Sequence, residues 1–207
     1  MSQKIDMASW PRREIYGFFS KMSQPFYSVT FKVDVTRLRA FVKEQGLSFY
    51  YALIYLTTKA VNQVENFRYA IEDGEVVLLD ERLPSFTDRH PDTDLFHIVN
   101  MPPAGDDIAA FCRAAKEKSA AQAGFLERED TPDLIFLTCV PWVELTGLTN
   151  ERDFDPDDTM PRIAWGKYAE HDGRWSLQMS LELNHRFLDG LHVGRFYEAL
   201  TGMIEAL

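Results

Sequence analysis

The stretch WSLQMSLELNHRFLDG, residues 175–190, decides the fold. In its first ten residues apolar and polar side chains alternate without interruption, which is the period of a β-strand with one buried face. The odd-numbered positions carry the apolar side chains, and His185 is the next odd position after Leu183. If the strand continues two residues past Leu183, the imidazole of His185 lies on the apolar face at the strand's carboxyl end. Ligands of α/β sheets bind near such ends.

The rest of the chain predicts helices and strands in mixed order. Beyond Asp189-Gly190, apolar residues recur at intervals of three and four up to Leu207, as in an amphipathic helix capped by Asp189. Further helices are predicted at 10–20, 36–46 (capped by Thr36), 49–64 (started by Ser48) and 108–123, strands at 27–33, 67–71, 75–79, 94–99 and 134–140, and a loop at 149–161. We therefore expect an α/β fold, a two-layer sandwich with helices packed on one face of a mixed β-sheet. No linker divides residues 1–207, so a single domain is expected.

The charge of the chain excludes several classes of partner. Lys and Arg number 22 against 32 Asp and Glu, which gives a formal net charge of −10 at pH 7. Such a surface repels phosphate backbones and anionic lipid heads, so neither nucleic acid nor a membrane is an expected partner. Cys112 and Cys139 lack disulfide-framework or zinc spacing. With no secretory signal and no membrane-length apolar run, the sequence predicts a cytoplasmic protein.

His185, taken as an isolated histidine, has three interpretations. It can be a core residue whose ring bonds to the backbone, with Asp189 serving only as a helix cap. It can be a general base, because imidazole titrates near neutral pH. It can ligate a metal with Asp189 and His192, but these residues fall across a turn and have no recognised ligand spacing. The residues alone disfavour a metal and leave the first two interpretations open.

The pattern His-x-x-x-Asp-Gly at 185–190 is accompanied by other short motifs along the chain. They are, in order, Trp10-Pro11-Arg12-Arg13-Glu14-Ile15-Tyr16, Phe49-Tyr50, Ala60-Val61-Asn62, Phe67-Arg68, Asp73-Gly74, Pro141-Trp142, Gly166-Lys167-Tyr168 and Asp189-Gly190-Leu191-His192-Val193. In this order and spacing the sequence resembles the chloramphenicol acetyltransferase family, CoA-dependent acyltransferases with the signature HHxxxDG. The resemblance extends over nearly the whole chain. It implies acetyl transfer from acetyl-CoA to a small alcohol, with chloramphenicol as the default acceptor.

The resemblance also implies roles for four residues in catalysis. His185 would be the general base that takes the proton from the acceptor hydroxyl. Thr138, where the family carries a serine, would donate a hydrogen bond to the oxyanion of the tetrahedral intermediate. Asp189 would form an ion pair with Arg12 that holds the catalytic turn without touching the substrate. From the residues alone, Thr138 could equally be an ordinary strand residue.

Binding residues and partners follow from the same resemblance. Tyr27 would contact the acceptor, while Tyr50, Lys167 and Tyr168 would lie along the CoA tunnel. Acetyl-CoA is then the co-substrate, and no metal is implied. Members of the family are homotrimers with active sites between subunits. We therefore expect the histidine of one subunit to face the acceptor pocket of the next.

Two positions depart from the family pattern. Asn184 replaces the first histidine of the signature, and strand parity turns it away from His185. Ala164 stands where the family usually has a threonine that helps to position a water at the intermediate. These departures leave two alternatives open: a different small alcohol, amine or thiol acceptor, or a catalytically impaired ligand-binding homologue. The form Asn-His-Arg-x-x-Asp-Gly also resembles dihydrolipoamide acyltransferase cores, although the N-terminal third is closer to the chloramphenicol acetyltransferases.

Overall fold

The computed structural model describes residues 2–90, 93–127, 131–153 and 155–207. Strands and helices alternate in this part of the chain without a regular repeat. The strands are β1 (Ser2–Lys4), β2 (Phe26–Asp34), β3 (Tyr69–Glu72), β4 (Glu75–Leu79), β5 (Leu83–Arg89), β6 (Phe96–Asn100), β7 (Leu134–Val140), β8 (Arg162–Gly166), β9 (Ala169–His171) and β10 (Arg174–Asn184). The helices are α1 (Arg13–Phe19), α2 (Thr36–Gln45), α3 (Phe49–Gln63), α4 (Ile108–Ala121) and α5 (Gly190–Glu205).

A mixed β-sheet forms the larger layer of the fold. Its strand order is β2-β10-β8-β7-β5-β6, and β9 pairs with one end of β10. The pairs β5–β7 and β7–β8 are parallel, and the other pairs of this sheet are antiparallel. A second, three-stranded sheet has the order β1-β4-β3. The predicted α/β fold with a mixed sheet and packed helices is therefore confirmed.

The strand predicted from the alternating stretch is the longest strand in the described part of the chain. β10 runs from Arg174 to Asn184 and pairs along nine consecutive positions with β2. Its odd-numbered residues from Leu177 to Leu183 lie in the main hydrophobic core, together with residues of α2, α3 and α5. The strand ends one residue before His185, whose backbone N–H still donates to the carbonyl of Pro25 at 2.6 Å.

The polar face of β10 is buried as well, which the alternation did not predict. Ser180, Glu182 and Asn184 are 2%, 7% and 5% exposed. A covering segment, made of residues 147–153 and 155–158, lies over them. The backbone N–H of Leu148 donates to Ser180 Oγ, and the N–H and side chain of Asn150 both donate to Glu182 Oε2. These hydrogen bonds offset the cost of removing the polar side chains from water.

The covering segment is also held at its far end. Asn184 Nδ2 donates to the carbonyls of Pro156 and Asp158, each at 3.0 Å. The predicted outward direction of Asn184 is therefore confirmed, but its side chain meets protein rather than solvent. Residues 149–161 carry no helix or strand in the described part, in agreement with the predicted loop.

Helix ends mostly follow the predicted caps. Ser48 Oγ accepts from the N–H of Tyr51 at the start of α3, and Asp189 caps α5. Gly46 ends α2 with a φ of 65°, a conformation that glycine adopts without steric cost. The predicted cap Thr36 is wrong: it is the first helical residue, and its N–H is bound by the carboxylate of Asp34.

The Asp73-Gly74 turn confirms the predicted hairpin between β3 and β4. Both residues have positive φ, 52° and 78°, as a two-residue hairpin turn with the native strand twist requires. The first strand is shorter than predicted, because residues 65–68 form a 3₁₀ turn. The first predicted helix is also shorter and begins at Arg13, leaving Trp10 buried just before it.

α3 passes through the middle of the helical layer. Its residues 52–58, 60 and 61 are all buried. It contacts α2, α4 and α5, so this largely apolar helix is covered by its neighbours. Over the described ranges, none of the helices has the length and apolar character needed to cross a membrane.

Candidate active site

The turn after β10, residues 185–189 and called here the histidine turn, is held by the guanidinium of Arg12. Arg12, 9% exposed, donates from Nη1 to Asp189 Oδ2 at 2.8 Å. Its Nε donates to the carbonyl of Arg186 at 2.8 Å, and Nη2 donates to the carbonyl of His185 at 3.2 Å. The predicted ion pair between Arg12 and Asp189 is present. The same side chain therefore fixes the backbone on which His185 is carried.

Asp189 and His192 close the start of α5 as a reciprocal cap. The Asp189 carboxylate accepts from the N–H of Leu191 at 3.1 Å, and the Asp189 N–H donates to Nδ1 of His192 at 3.1 Å. Burial opposes ionisation of Asp189, but the hydrogen bond from Arg12 and nearby positive charge outweigh it and lower its pKa. Burial lowers the pKa of His192. A neutral His192 is what its role as acceptor at Nδ1 requires.

The imidazole of His185 contacts two aromatic rings. Phe19, at the end of α1, stacks on it with the ring centroids 4.0 Å apart and the planes 12° from parallel. Tyr27 on β2 lies on the ring at a centroid distance of 4.6 Å. Nδ1 of His185 is buried and has no hydrogen-bond partner among the described residues. The contact with Phe19 was not predicted, since no local pattern marks a residue at the end of a short helix.

Tyr27 contacts the candidate base. Its position on β2 is opposite Leu183, so the ring projects beside the turn that carries His185. Burial, and then the negative charge of Asp189, raise the pKa of Tyr27 to about 12, so its hydroxyl stays protonated. That hydroxyl is buried without a partner among the described residues. Tyr27 lines neither of the two cavities that open on the sheet, so the structure does not place this hydroxyl at an acceptor pocket of its own chain.

Two cavities open on the sheet, and His185 is not among the residues that line them. The first, of about 880 Å³, is called here the loop cavity because residues 150–153, 155 and 157–160 line one of its walls. Its other walls carry apolar side chains, namely Ile71, Phe86, Phe96, Ile98, Phe125, Phe136 and Leu137. A cavity of this size, part apolar and part polar, suits a small organic molecule.

The second cavity, of about 790 Å³, is called here the tyrosine cavity because Tyr50 and Tyr168 line it. Lys167 and Thr138 line it too, so the structure brings together all three predicted CoA-binding residues and the predicted oxyanion donor. Lys167 is exposed, whereas Tyr50 is half-buried and its hydroxyl donates to the carbonyl of Thr87. Burial raises the pKa of Tyr50 well above its ordinary value.

Gly166 shapes the wall of the tyrosine cavity. A Cβ built on it would come within 2.8 Å of the Val143 carbonyl oxygen and 2.7 Å of Leu145 Cγ. Residues 143–145 therefore pass directly against the end of β8, and the neighbouring N–H of Lys167 donates to the same Val143 carbonyl. This close approach leaves Trp142 71% exposed on the rim of the cavity.

The two cavities meet at three residues, Thr87, Phe96 and Thr138, which line both of them. Thr87 and Thr138 lie on the parallel neighbours β5 and β7, and their hydroxyl oxygens are 2.8 Å apart. A hydroxyl at this junction can reach a group presented from either side. His185 lines neither cavity, so within one chain the structure does not bring it to Thr138.

A pair of arginines in the loop cavity was not predicted. Asp158 Oδ2 lies 2.6 Å from Arg162 Nη1 and 3.3 Å from Arg152 Nη1. The guanidinium of Arg152 stacks 3.8 Å from the ring centroid of Phe26, and its side chain is 3% exposed. Arg152 and Asp158 lie in the predicted loop and Arg162 begins β8, and no local pattern shows that this loop folds back over the sheet.

Ala164 occupies the middle of a row of small side chains across the sheet. It is paired with Thr138 on one side and with Ser180 on the other. Ser180 in turn bonds to Thr30 at 2.7 Å between their hydroxyl oxygens. Ala164 is fully buried and interrupts this line of hydroxyls at the position next to Thr138.

The remaining reactive groups do not add chemistry to the junction. Burial raises the pKa of the Cys139 thiol, beside Thr138, to about 12, which keeps it protonated and a poor nucleophile. Across the described ranges, no three His, Cys, Asp or Glu side chains are grouped as ligands for a metal ion.

The fold is shared with known acyltransferases. The truncated catalytic core of the 2-oxoacid dehydrogenase multienzyme complex from Thermoplasma acidophilum is similar to it, with a TM-score of 0.67 and 20% identity over 98% of each chain. A solved chloramphenicol acetyltransferase is more similar, with a TM-score of 0.88 and 26% identity, and the match covers 99% of this chain and all of that one. Together with the cavity pair and the histidine turn, this defines a CoA-dependent acyltransferase.

Sequence comparisons give the family. Residues 1–201 match the family described as chloramphenicol acetyltransferase. The chloramphenicol acetyltransferase of Clostridium perfringens is 31% identical over 99% of both chains, and chloramphenicol acetyltransferase 2 of Escherichia coli is 28% identical over 98% of this chain and 96% of its own. The chain belongs to the chloramphenicol acetyltransferase family, whose members use acetyl-CoA as co-substrate.

Proposed function

We propose that this enzyme transfers the acetyl group of acetyl-CoA to a hydroxyl of a small acceptor, and that chloramphenicol is the first acceptor to test. The junction of the two cavities at the Thr138 hydroxyl is the observation that carries the proposal. The tyrosine cavity, with Tyr50, Tyr168 and the exposed Lys167, suits the pantetheine arm and phosphates of CoA. The loop cavity, on the other side of Thr138, suits the acceptor.

His185 acts as the general base in this proposal. Its Nε2 accepts the proton of the acceptor hydroxyl as that oxygen attacks the thioester carbonyl carbon. Thr138 donates to the oxyanion so formed. When the tetrahedral intermediate collapses, the carbon–sulfur bond breaks and the proton passes from the imidazolium to the CoA sulfur. Arg12 and Asp189 hold the turn, and Phe19 and Tyr27 hold the ring, so that Nε2 keeps one direction.

The proposal includes a homotrimer. His185 and Thr138 both serve one reaction, but His185 lines neither cavity of its own chain. A second copy that presents its histidine turn to the loop cavity completes the site. Exposed apolar side chains on and just after α1, the helix whose Phe19 stacks on His185, support such a contact, since Ile15, Phe18 and Met22 are 43%, 60% and 41% exposed. Apolar surface of this kind is typical of an interface.

The direct test is release of free CoA thiol from acetyl-CoA in the presence of chloramphenicol, with the acetylated product identified by mass. We expect turnover by the wild type and a loss of at least a hundred-fold in His185→Ala. His171, an exposed histidine paired with Glu144 at 3.2 Å, is the matched control, and His171→Ala should be fully active. Equal activity of wild type and His185→Ala would remove the proposed base.

A second candidate acceptor class is favoured by the arginine pair. Arg152 and Arg162 line the cavity that would hold the acceptor, and Ala164 removes a hydroxyl from the neighbouring row. An alcohol, amine or thiol that also carries carbonyl or carboxylate oxygens would use these donors, because guanidinium N–H groups only donate hydrogen bonds. A screen of small alcohols, amines and thiols decides between the two classes by comparing kcat/KM with that for chloramphenicol. Binding of CoA without turnover of any acceptor would instead support a ligand-binding homologue.

A further inference from the structure

Thr87 is the residue that shares the junction of the two cavities with Thr138. It lies on β5 beside Thr138 on β7, because Phe86 and Leu137, the preceding residues, are partners in the parallel register. The two hydroxyl oxygens are 2.8 Å apart, a normal distance for a hydrogen bond between hydroxyls. Thr87 is itself fixed, since its carbonyl accepts from the hydroxyl of Tyr50.

The direction of this hydrogen bond decides whether Thr138 can serve the reaction. A hydroxyl carries one hydrogen and two lone pairs. If Thr138 donates to Thr87, no hydrogen remains for an oxyanion at the junction. If Thr87 donates to Thr138, the single hydrogen of Thr138 is free to point into the junction. Development of negative charge on the substrate favours the second direction, because a hydrogen bond to an ionised acceptor is roughly twice as strong as a neutral one.

We propose that Thr87 is a positioning residue that donates its hydroxyl hydrogen to Thr138 Oγ1 and thereby aims the hydroxyl of Thr138 at the oxyanion. This inference rests on the proposed function. The donated hydrogen bond occupies one lone pair of Thr138 and polarises its O–H bond, which strengthens the bond that Thr138 makes in turn. On its other side Thr138 is paired with Ala164 of β8, which has no hydroxyl. Thr87 is therefore the neighbouring strand residue that can supply Thr138 with a hydroxyl partner.

The test compares Thr87→Val, which keeps the branched shape and removes the hydroxyl, with Thr87→Ser, which keeps the hydroxyl. We expect Thr87→Val to lower kcat about ten-fold, less than the loss from removing an oxyanion donor itself, with KM for acetyl-CoA within about two-fold. Thr87→Ser should keep kcat within about two-fold. Thermal unfolding of both variants serves as the check on folding.

A double-mutant cycle separates positioning from a structural role. In a Thr138→Ala background the hydroxyl of Thr87 has nothing to aim, so Thr87→Val should cause no further loss of kcat. An equal loss in both backgrounds, or a Thr87→Ser variant as slow as Thr87→Val, would overturn the inference. If the wild type turns over and Thr87→Val matches it, only the role of Thr87 is lost. If the wild type releases no thiol with any acceptor, the proposed function and this role fall together.

Discussion

Arg12 and Asp189 are 177 residues apart in the chain, and their side chains meet in an ion pair of 2.8 Å. The same guanidinium binds the carbonyls of His185 and Arg186. The N-terminal segment before α1 and the turn before α5 are thus one unit. The catalytic histidine proposed here depends on a contact made by the first residues of the chain.

Loss of the Arg12 side chain should weaken both folding and catalysis. We expect Arg12→Gln to reduce the free energy of unfolding by about 2 kcal/mol, below the loss for a fully buried pair because Asp189 is a third exposed. Its kcat should fall at least ten-fold because the turn loses three hydrogen bonds. The neighbouring Arg13, which is exposed and whose side chain donates to the carbonyl of Ala8, provides the control Arg13→Gln. Urea unfolding and thiol release measure the two effects; equal behaviour of the variants would contradict the prediction.

The aromatic stack on His185 should affect rate more than binding. Phe19→Leu removes the ring that lies 4.0 Å from the imidazole, so the base samples more orientations. We expect kcat to drop about ten-fold, since small misplacements of a catalytic group are costly. KM for acetyl-CoA should be unchanged, because Phe19 does not line the tyrosine cavity. Phe19→Tyr keeps the ring and should keep the rate, and a slow Phe19→Tyr variant would argue against stacking as the cause.

His192 should make the protein less stable in mild acid. Its pKa is lowered by burial below the ordinary value of 6.5, so the folded state binds fewer protons than the unfolded state below that pH. This contribution to stability is fully present above pH 6.5 and is lost as the pH falls through the folded-state pKa. We expect the midpoint temperature of thermal unfolding to decrease between pH 7 and pH 5, and to decrease more for the wild type than for His192→Asn. Parallel pH profiles for the two proteins would show that the histidine plays no part.

Arg82 should be among the most sensitive positions for stability. It is completely buried, and its guanidinium donates to five backbone carbonyls, those of Phe67, Tyr69, Pro132, Leu134 and Thr159. Burial lowers its pKa to about 9. Arg82→Met leaves those carbonyls without the donors of the guanidinium. We therefore expect the free energy of unfolding, measured with urea, to decrease by about 4 kcal/mol. The exposed Arg37→Met is the comparison, and a loss below about 1 kcal/mol at Arg82 would contradict the role.

The elements predicted well from sequence are those with a strong local hydrophobic pattern: the alternation of β10, the continuous apolar run of β7 and the helical period of α5. β10, β7 and α5 satisfy their hydrophobic patterns within a short window, so the sequence of each determines it. β5 and β8 were not predicted. β5 contains Pro84 and lacks alternation, and β8 is a five-residue strand with four residues buried. Such strands are fixed by their neighbours in the sheet rather than by their own residues.

The candidate site also contains features that could be predicted from the sequence and features that could not. The histidine turn and its ion pair follow from a motif and a resemblance, and Tyr50, Lys167 and Tyr168 do line one cavity. The Phe19–His185 stack and the Thr87–Thr138 hydrogen bond join residues 166 and 51 positions apart. The first contact depends on the docking of α1 and the second on the register of two parallel strands. Neither of these can be predicted from a local sequence pattern.

The covering segment over β10 has an evolutionary consequence. It supplies one wall of the loop cavity and is fastened to the strand through side chains such as Glu182 and Asn184, while the histidine turn and the hydroxyl pair belong to other parts of the chain. The segment also reaches the histidine turn through an ion pair of 2.9 Å between Asp157 and Arg186, so exchange of this stretch changes the proposed acceptor cavity without disturbing the turn only where that pair is kept. Chimaeras that swap residues 147–158 between relatives are the natural way to redirect the enzyme.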